Sequence, residues 1–264
     1  MNKFVFIGCL LAVTACDNNR KDKKVNTLEI PNHIEQLAAN VKARPDSVGL
    51  RFNLVNAYDS IGAYKLALTE LDSLIFYDKG NYALWFKKAQ VFEHAGDTTA
   101  AINHYNQAAT IYTSPECLLA LANLYAETKN KTVFAVCKQI DDLRLGRSYD
   151  SYTNFFIGIY YARTGNKKLA FDFFDKSIIN NYLLMDAYME KGYLLYDEHK
   201  IADALLVFKK VNTISNLYVD GYYWQGKCFE ALQQKKQAVE QYQNALNLDK
   251  TLVEAEDAIK RLNK

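Results

Sequence analysis

Proline and glycine, the two residues that interrupt helices, are scarce in this sequence. Only three prolines and 11 glycines occur among its 264 residues. Because both residues destabilise the interior of a helix, their scarcity favours a mostly helical chain with short connections. An excess of one charge is also missing, since 32 basic and 30 acidic residues leave a net charge of +2. Without a basic stripe to neutralise phosphates, we predict that the chain does not bind nucleic acid.

Sequence motifs of catalysis and metal binding are absent as well. The 4 histidines include no HExxH pair, and the chain has neither a glycine-rich phosphate loop nor a Gly-x-Ser-x-Gly sequence. Cys117, Cys137 and Cys228 are odd in number and have no CxxC spacing, so they indicate neither a zinc site nor a disulfide framework. We therefore predict no enzyme activity, no cofactor and no metal ion, and we expect these three thiols to be buried and free.

The first residues of the chain carry the features of an export signal. Lys3 gives a positive start, and residues 4–13 (FVFIGCLLAV) form an apolar run. A helix of this length reaches only ~15 Å, about half the hydrocarbon core of a bilayer, so the run is too short to span a membrane. We predict that residues 1–15 are a signal peptide and do not belong to the fold.

The end of this run resembles the lipobox of bacterial lipoproteins. Val13, Thr14 and Ala15 supply an aliphatic residue and two small ones directly before Cys16. The resemblance implies cleavage before Cys16 and acyl chains on this residue, which would anchor the protein to a membrane. The alternative is a secreted protein that is cut at the same place beside an unmodified cysteine. Residues 16–27 are polar and lack hydrophobic periodicity, so we expect a flexible tether.

A 34-residue period organises the rest of the sequence. An alanine and an aromatic residue four positions later recur at this interval, and a glycine precedes each pair in step: Gly158, Ala170 and Phe174; Gly192, Ala204 and Phe208; Gly226, Ala238 and Tyr242. The period and the residue types resemble the tetratricopeptide repeat (TPR), a helix-turn-helix unit. Small residues let the two helices of such a hairpin approach closely, and the aromatic ring fills the space beside them.

The resemblance implies an all-α fold, a right-handed superhelical solenoid of helix-turn-helix repeats with a C-terminal capping helix. We predict one solenoid over residues 28–264, with a leading helix at 32–43, repeats at about 48–81, 82–114, 115–150, 151–184, 185–218 and 219–252, and a cap at 253–264. The third repeat lacks the alanine–aromatic pair, and residues 145–148 after it are predicted to form a turn. His199 and Gln233 replace the glycine that ends the first helix in other repeats.

In TPR proteins the first helix of each hairpin lines the concave face of the superhelix. Carried over to this sequence, that arrangement predicts a ligand groove formed by Phe52, Asn56, Phe86, Gln90, Leu119, Asn123, Tyr152, Phe155, Ile159, Met189, Tyr193, Tyr196, Tyr223 and Lys227. Aromatic and amide side chains suit an extended peptide or a helix. Some TPR proteins hold chaperone C-termini with lysine or arginine. The corresponding positions here carry Phe52, Phe86 and Leu119, which disfavours that ligand.

These features favour a membrane-anchored interaction scaffold or adaptor of the bacterial cell envelope. It would hold protein or peptide partners during assembly, secretion or surface-structure biogenesis. The alternative is a lipoprotein that binds glycan or peptidoglycan by stacking Tyr152, Tyr193, Tyr196 and Tyr223 on sugar rings. We expect the solenoid to lie outside the cytoplasm, anchored to the outer membrane. Asp17, directly after the cysteine, resembles an inner-membrane retention cue and keeps the inner membrane as an alternative.

Overall fold

The computed structural model describes residues 30–263. The predicted signal peptide, Cys16 and the predicted tether lie outside these residues. Residues 30–263 form fourteen α-helices and no β-strand. The helices are α1 (Asn32–Ala43), α2 (Val48–Ser60), α3 (Tyr64–Tyr77), α4 (Tyr82–His94), α5 (Thr98–Ile111), α6 (Pro115–Glu127), α7 (Thr132–Asp142), α8 (Arg147–Arg163), α9 (Lys167–Asn180), α10 (Met185–Asp197), α11 (Ile201–Ile214), α12 (Val219–Ala231), α13 (Lys235–Leu248) and α14 (Val253–Leu262). Among them, none combines the length and the apolar character needed to cross a bilayer.

The all-α solenoid predicted from the sequence is confirmed. After α1 the helices pack as hairpins, from α2 with α3 through to α12 with α13, and α14 packs on α13. Each hairpin also contacts the next one: α3 packs against α4, for example, and α11 packs against α12. Three clusters of buried apolar side chains follow one another along the stack, and shared neighbours such as Trp85 and Phe171 connect them. Contacts between neighbours along one axis are the architecture of a repeat protein.

The close approach of the two helices in a hairpin explains the glycine and aromatic residues of the repeat. A Cβ atom on Gly158 would lie 2.6 Å from the ring of Phe174, and one on Gly226 would lie 2.6 Å from the ring of Tyr242. Gly192 faces the ring of Phe208 in the same way. Side chains in a protein core are already packed to crystal-like density, so only glycine leaves room for these rings.

In two hairpins a glutamate accepts a hydrogen bond from the hydroxyl of a buried tyrosine. The hydroxyl of Tyr105 donates a hydrogen bond to the Glu93 carboxylate at 2.7 Å, and the hydroxyl of Tyr242 donates to Glu230 at 3.0 Å. Both rings are buried, and a buried hydroxyl without a partner would be destabilising. The glutamate near the end of the first helix therefore allows tyrosine to replace phenylalanine in the second.

The third hairpin differs from the others in its second helix. α7 has 11 residues, whereas α5 and α9 have 14. Val133 and Cys137, four positions apart, are buried in α7 where other hairpins bury the alanine and the aromatic residue. The small Cys137 side chain therefore takes the place of the larger side chain that the other hairpins bury at this position.

The turn predicted at 145–148 is wrong at its second half. Arg147 and Ser148 already belong to α8, which has 17 residues. Gly146 adopts a φ of 91°, a conformation that glycine reaches without steric cost, so the link is short. The guanidinium of Arg147 donates to the carbonyl of Ile179 at 2.7 Å, which ties the start of α8 to the end of α9.

The turn inside each of the six hairpins contains one residue in the left-handed conformation. Gly62, Gly96 and Gly165 occupy this position with φ values of 75°, 78° and 84°. Lys129, His199 and Gln233 have φ values of 58°, 58° and 59° at the same point of their hairpins. An ordinary side chain costs about 1–2 kcal/mol in this conformation, so these three turns are less favourable than the glycine turns.

We expect Gln233→Gly to raise the free energy of unfolding by about 0.5–1 kcal/mol, because glycine removes the strain at this turn and loses part of the gain to backbone entropy. The matched control is Gln237→Gly, which replaces an exposed glutamine in the first turn of α13. There glycine should lower the free energy of unfolding by about 0.5 kcal/mol, because it loses backbone entropy and relieves no strain. Urea denaturation followed by circular dichroism measures both, and a loss in both variants would contradict a left-handed turn at Gln233.

The expectation of buried, free thiols is confirmed for Cys117, Cys137 and Cys228. Burial raises the pKa of Cys117 and of Cys228 to about 12, and it raises the pKa of Cys137 as well. Since the thiolate is the reactive form, these side chains should be chemically inert in the folded protein.

We expect iodoacetamide at pH 8 to leave these three thiols unmodified in the folded chain and to alkylate all of them in guanidinium chloride, where the pKa returns to about 8.5. Mass spectrometry of the tryptic peptides reports each position separately. Rapid alkylation of any of the three without denaturant would show that its helix packs more loosely than described.

Candidate ligand groove

An open groove with a volume of about 790 Å³ crosses the middle of the solenoid. This volume lies within the range of pockets that enclose drug-sized ligands. α6 and α8, the first helices of the third and fourth hairpins, contribute one part of its lining. The turns before α10 and α12, together with the first residues of those helices, contribute another part, and Glu93 near the end of α4 completes it. The groove thus joins five successive hairpins.

Four residues of the predicted row line this groove. Leu119 and Asn123 lie one helical turn apart on α6, and Tyr152 and Phe155 lie three residues apart on α8. Residues at these spacings share one face of a helix. The first helices of two neighbouring hairpins therefore present the predicted face to the same groove.

The other predicted residues do not line it. Ile159 and Met189 are buried in the core and are not part of the groove lining. Tyr193, Tyr196 and Tyr223 pack around the ring of Trp224, with ring centroids 4.7, 5.4 and 6.1 Å away from it. The remaining members lie on α2, α4 and α12, outside the groove lining: Phe52, Asn56, Phe86, Gln90 and Lys227.

The turns that lead into α10 and α12 add lining residues that the sequence argument missed. Leu183 and Leu217 are 57% and 71% exposed at the edge of the groove. Asp186 and Asp220 lie in the first turns of α10 and α12 and also line it. Each pair is separated by one 34-residue period. Exposed leucines recurring in a turn are the sequence feature that could have identified this edge.

The groove is acidic although the chain as a whole is nearly neutral. Glu93, Asp186 and Asp220 line it, and among the described residues that do so there is no lysine, arginine or histidine. Burial raises the pKa of Asp186, and the Asp220 carboxylate raises it further, whereas the hydrogen bond from the Tyr218 hydroxyl, 3.2 Å long, lowers it. Burial and the nearby Asp186 also raise the pKa of Tyr152. Negative charge is therefore concentrated beside aromatic rings.

One polar atom in the groove has no hydrogen-bond partner. The Oδ1 atom of Asn123 is buried and accepts no hydrogen bond from the part of the chain that the structure describes. A buried acceptor left unsatisfied costs about 1–3 kcal/mol, so native proteins rarely retain one without a reason. An N–H donor from a ligand in the groove would satisfy it.

Two of the four histidines contact side chains of the solenoid. His104 lies between the rings of Trp85 and Phe92, with centroid distances of 5.6 and 5.0 Å, and burial lowers its pKa. Nδ1 of His94 lies 2.8 Å from the carboxylate of Asp59 in the preceding hairpin. Within residues 30–263, no three histidine, cysteine or acidic side chains gather in a cluster that could hold a metal ion.

Comparison with known families identifies the repeat. One tetratricopeptide repeat model matches residues 82–114, and a second matches residues 220–249. These segments correspond to the second and sixth hairpins. The chain therefore carries tetratricopeptide repeats, as its 34-residue period indicates. No functionally curated protein matches the sequence.

Solved structures of TPR proteins share the fold at low sequence identity. A tetratricopeptide repeat protein from Parabacteroides merdae ATCC 43184 has a TM-score of 0.69 and 20% identity, over 88% of this chain and 91% of that one. PilW, described as a widely conserved type IV pilus biogenesis factor, has a TM-score of 0.59 and 18% identity, over 82% and 98%. PilF of Pseudomonas aeruginosa has a TM-score of 0.53 and 15% identity, over 84% and 100%. These similarities establish the solenoid and leave its ligand open.

Proposed function

We propose that this chain is a non-enzymatic, lipid-anchored scaffold of the bacterial cell envelope whose groove binds a segment of a partner protein. The observation that carries the proposal is the groove itself, open at an edge with exposed Leu183 and Leu217 and lined by rings on α8. An apolar surface with a few polar groups suits a peptide, whose side chains enter the apolar parts while its backbone forms hydrogen bonds. PilW and PilF are built on the same fold, which makes pilus assembly one candidate process.

Binding of partner protein can be tested with a pair of leucine variants. In a pull-down from its own organism, we expect the wild-type chain to bind a discrete set of envelope proteins. We expect a Leu183→Glu/Leu217→Glu variant not to bind them, because charge disrupts the apolar edge of the groove. Leu206→Glu is the matched control, since Leu206 is 65% exposed on α11 and does not line the groove. Equal retention by all three proteins would contradict binding through the groove.

The glycan alternative is supported by the position of one tyrosine. Tyr152 shares the groove with the Asn123 amide and the Asp186 carboxylate, and polar groups beside a ring suit a sugar. The other three tyrosines of that hypothesis pack on Trp224 instead, so the glycan surface would be small. Sedimentation with purified cell-wall sacculi distinguishes the two functions. If the wild-type chain sediments with the sacculi and the Leu183→Glu/Leu217→Glu variant does not, glycan binding in the groove is favoured.

The lipid anchor rests on the sequence around Cys16. Several acyl chains, at ~0.8 kcal/mol per buried CH₂, would hold the chain firmly on a membrane. We expect Cys16→Ala to move the protein from the membrane fraction to the soluble fraction. A Cys16→Ala protein that remains with the membranes would contradict the anchor, and comparison of separated inner and outer membranes assigns the wild-type protein to one of them.

A further inference from the structure

The groove carries charge of one sign only, and this property restricts its ligand. Glu93, Asp186 and Asp220 line it, and no basic residue within 30–263 does so. The Glu93 carboxylate accepts from Tyr105 and the Asp186 carboxylate accepts from Tyr218. Both partners are neutral hydroxyls, so neither hydrogen bond neutralises the charge. An anionic or C-terminal carboxylate ligand would be repelled, whereas a cation would be attracted.

Elsewhere in the solenoid, carboxylates of similar burial are paired with cations. Asp59 contacts Lys87 at 2.8 Å, and Glu190 contacts Arg163 at 2.9 Å. Charged groups removed from water are costly unless an opposite charge compensates them. The acidic residues of the groove lack such a neighbour among the described lining residues, which distinguishes them from Asp59 and Glu190.

The aromatic and amide side chains of the groove match the other parts of a basic residue. The partly exposed ring of Tyr152 on α8 lines the groove, and an aromatic face attracts an ammonium or guanidinium group and packs against its apolar stem. The Oδ1 atom of Asn123 on α6 has no hydrogen-bond partner among the described residues, so it is free to accept an N–H group of a ligand. The exposed Leu183 and Leu217 at the edge favour apolar residues next to the basic one.

We propose that the groove selects partner segments by a lysine or arginine side chain flanked by apolar residues, with Asp186 and Asp220 as its charge partners. This inference rests on the proposed binding of a partner protein in the groove and names the chemistry of the bound segment. The volume of about 790 Å³ exceeds what one side chain fills, so several residues of an extended peptide enter with the basic one.

A phage library of random heptapeptides, selected on the full chain purified in detergent, tests the inference. We expect lysine and arginine to be enriched in the bound pool and aspartate and glutamate to be depleted. In an Asp186→Asn/Asp220→Asn variant, the affinity of the selected peptides should fall roughly tenfold or more, because a hydrogen bond to a charged group is replaced by one to a neutral amide. Asparagine retains an oxygen acceptor for Tyr218, and circular dichroism verifies that the variant is folded.

The matched control is Asp203→Asn, which removes an exposed aspartate from the first turn of α11, outside the groove. We expect this variant to bind the selected peptides like the wild type. Two results overturn the inference but not the proposal that the groove binds peptides. One is enrichment of lysine and arginine that persists in the Asp186→Asn/Asp220→Asn variant, and the other is a pool of bound peptides in which lysine and arginine are not enriched. A library from which no peptide is retained above background overturns the proposed function as well.

The chain has its own basic segment before the described residues, with Arg20, Lys21, Lys23 and Lys24. This segment is a rival occupant of the groove. A variant with serine at these four positions should give the same bound pool as the wild type. Basic enrichment that appears only in this variant would identify the chain's own segment as the occupant and overturn a partner peptide.

Discussion

Replacing Gly192 by valine should lower the free energy of unfolding by about 2–4 kcal/mol. A Cβ atom at this position would collide with the ring of Phe208, which is fully buried. The helices α10 and α11 must then separate, or the ring must leave its rotamer, and either change weakens the core of the fifth hairpin. Urea denaturation of the wild type and the variant measures the loss.

The first hairpin supplies the compensating change. Val55 and Leu71 occupy the equivalent positions there, and both are completely buried. We therefore expect Gly192→Val/Phe208→Leu to recover a large part of the loss, so that the two substitutions are strongly coupled. Gly49→Val is the control for placing valine in a helix, because a Cβ atom on Gly49 has no atom within 4 Å. A double variant as unstable as the sum of the single ones would contradict the packing between α10 and α11.

Replacing Arg163 by methionine should lower the free energy of unfolding by about 2 kcal/mol. The guanidinium lies at the end of α8 and bridges two other hairpins, with Nε 2.8 Å from the Glu127 carboxylate on α6 and Nη1 2.9 Å from the Glu190 carboxylate on α10. Methionine preserves much of the apolar stem but leaves two carboxylates close together without a cation. The expected loss is smaller than that for breaking a fully buried ion pair, because all three side chains retain some exposure to water.

The loss should depend on pH. Burial already raises the pKa of Glu190, and the Arg163 guanidinium opposes that rise. Without the guanidinium, the pKa of Glu190 in the folded state should rise further above that in the unfolded state. Protonation then stabilises the folded variant, so its deficit should shrink as pH falls from 7 toward 5. Lys138→Met, which removes an exposed pair with Asp142, should change stability by less than about 0.5 kcal/mol. An equal loss in both variants would contradict a bridging role for Arg163.

The fold could be predicted from the sequence because its cause is local and repeated. Gly158, Gly192 and Gly226 stand in step with a buried aromatic residue, and each repetition strengthens the inference. The start of α8 at Arg147 could not be predicted in this way. It depends on the hydrogen bond from Arg147 to the Ile179 carbonyl, a contact between the two helices of the fourth hairpin that has no counterpart at a 34-residue interval in the sequence.

The groove could be predicted only in part. Leu119, Asn123, Tyr152 and Phe155 follow from helical spacing on the first helices. Asp186 and Asp220 line the groove because the folded stack places the starts of α10 and α12 beside α6 and α8, and a linear sequence does not reveal which helix ends meet. Contact with Trp224 of the next hairpin partly buries the ring of Tyr193, and burial of that kind depends on tertiary packing.

Photo-crosslinking in living cells tests the binding groove most directly. A crosslinking amino acid at Leu217, which is 71% exposed on the edge of the groove, is compared with one at Leu206, which is 65% exposed outside it. We expect position 217 to trap a discrete protein and position 206 to give no such product. Adducts of equal yield at both positions, or no protein adduct at position 217, would contradict the proposal that this solenoid holds a partner protein in its groove.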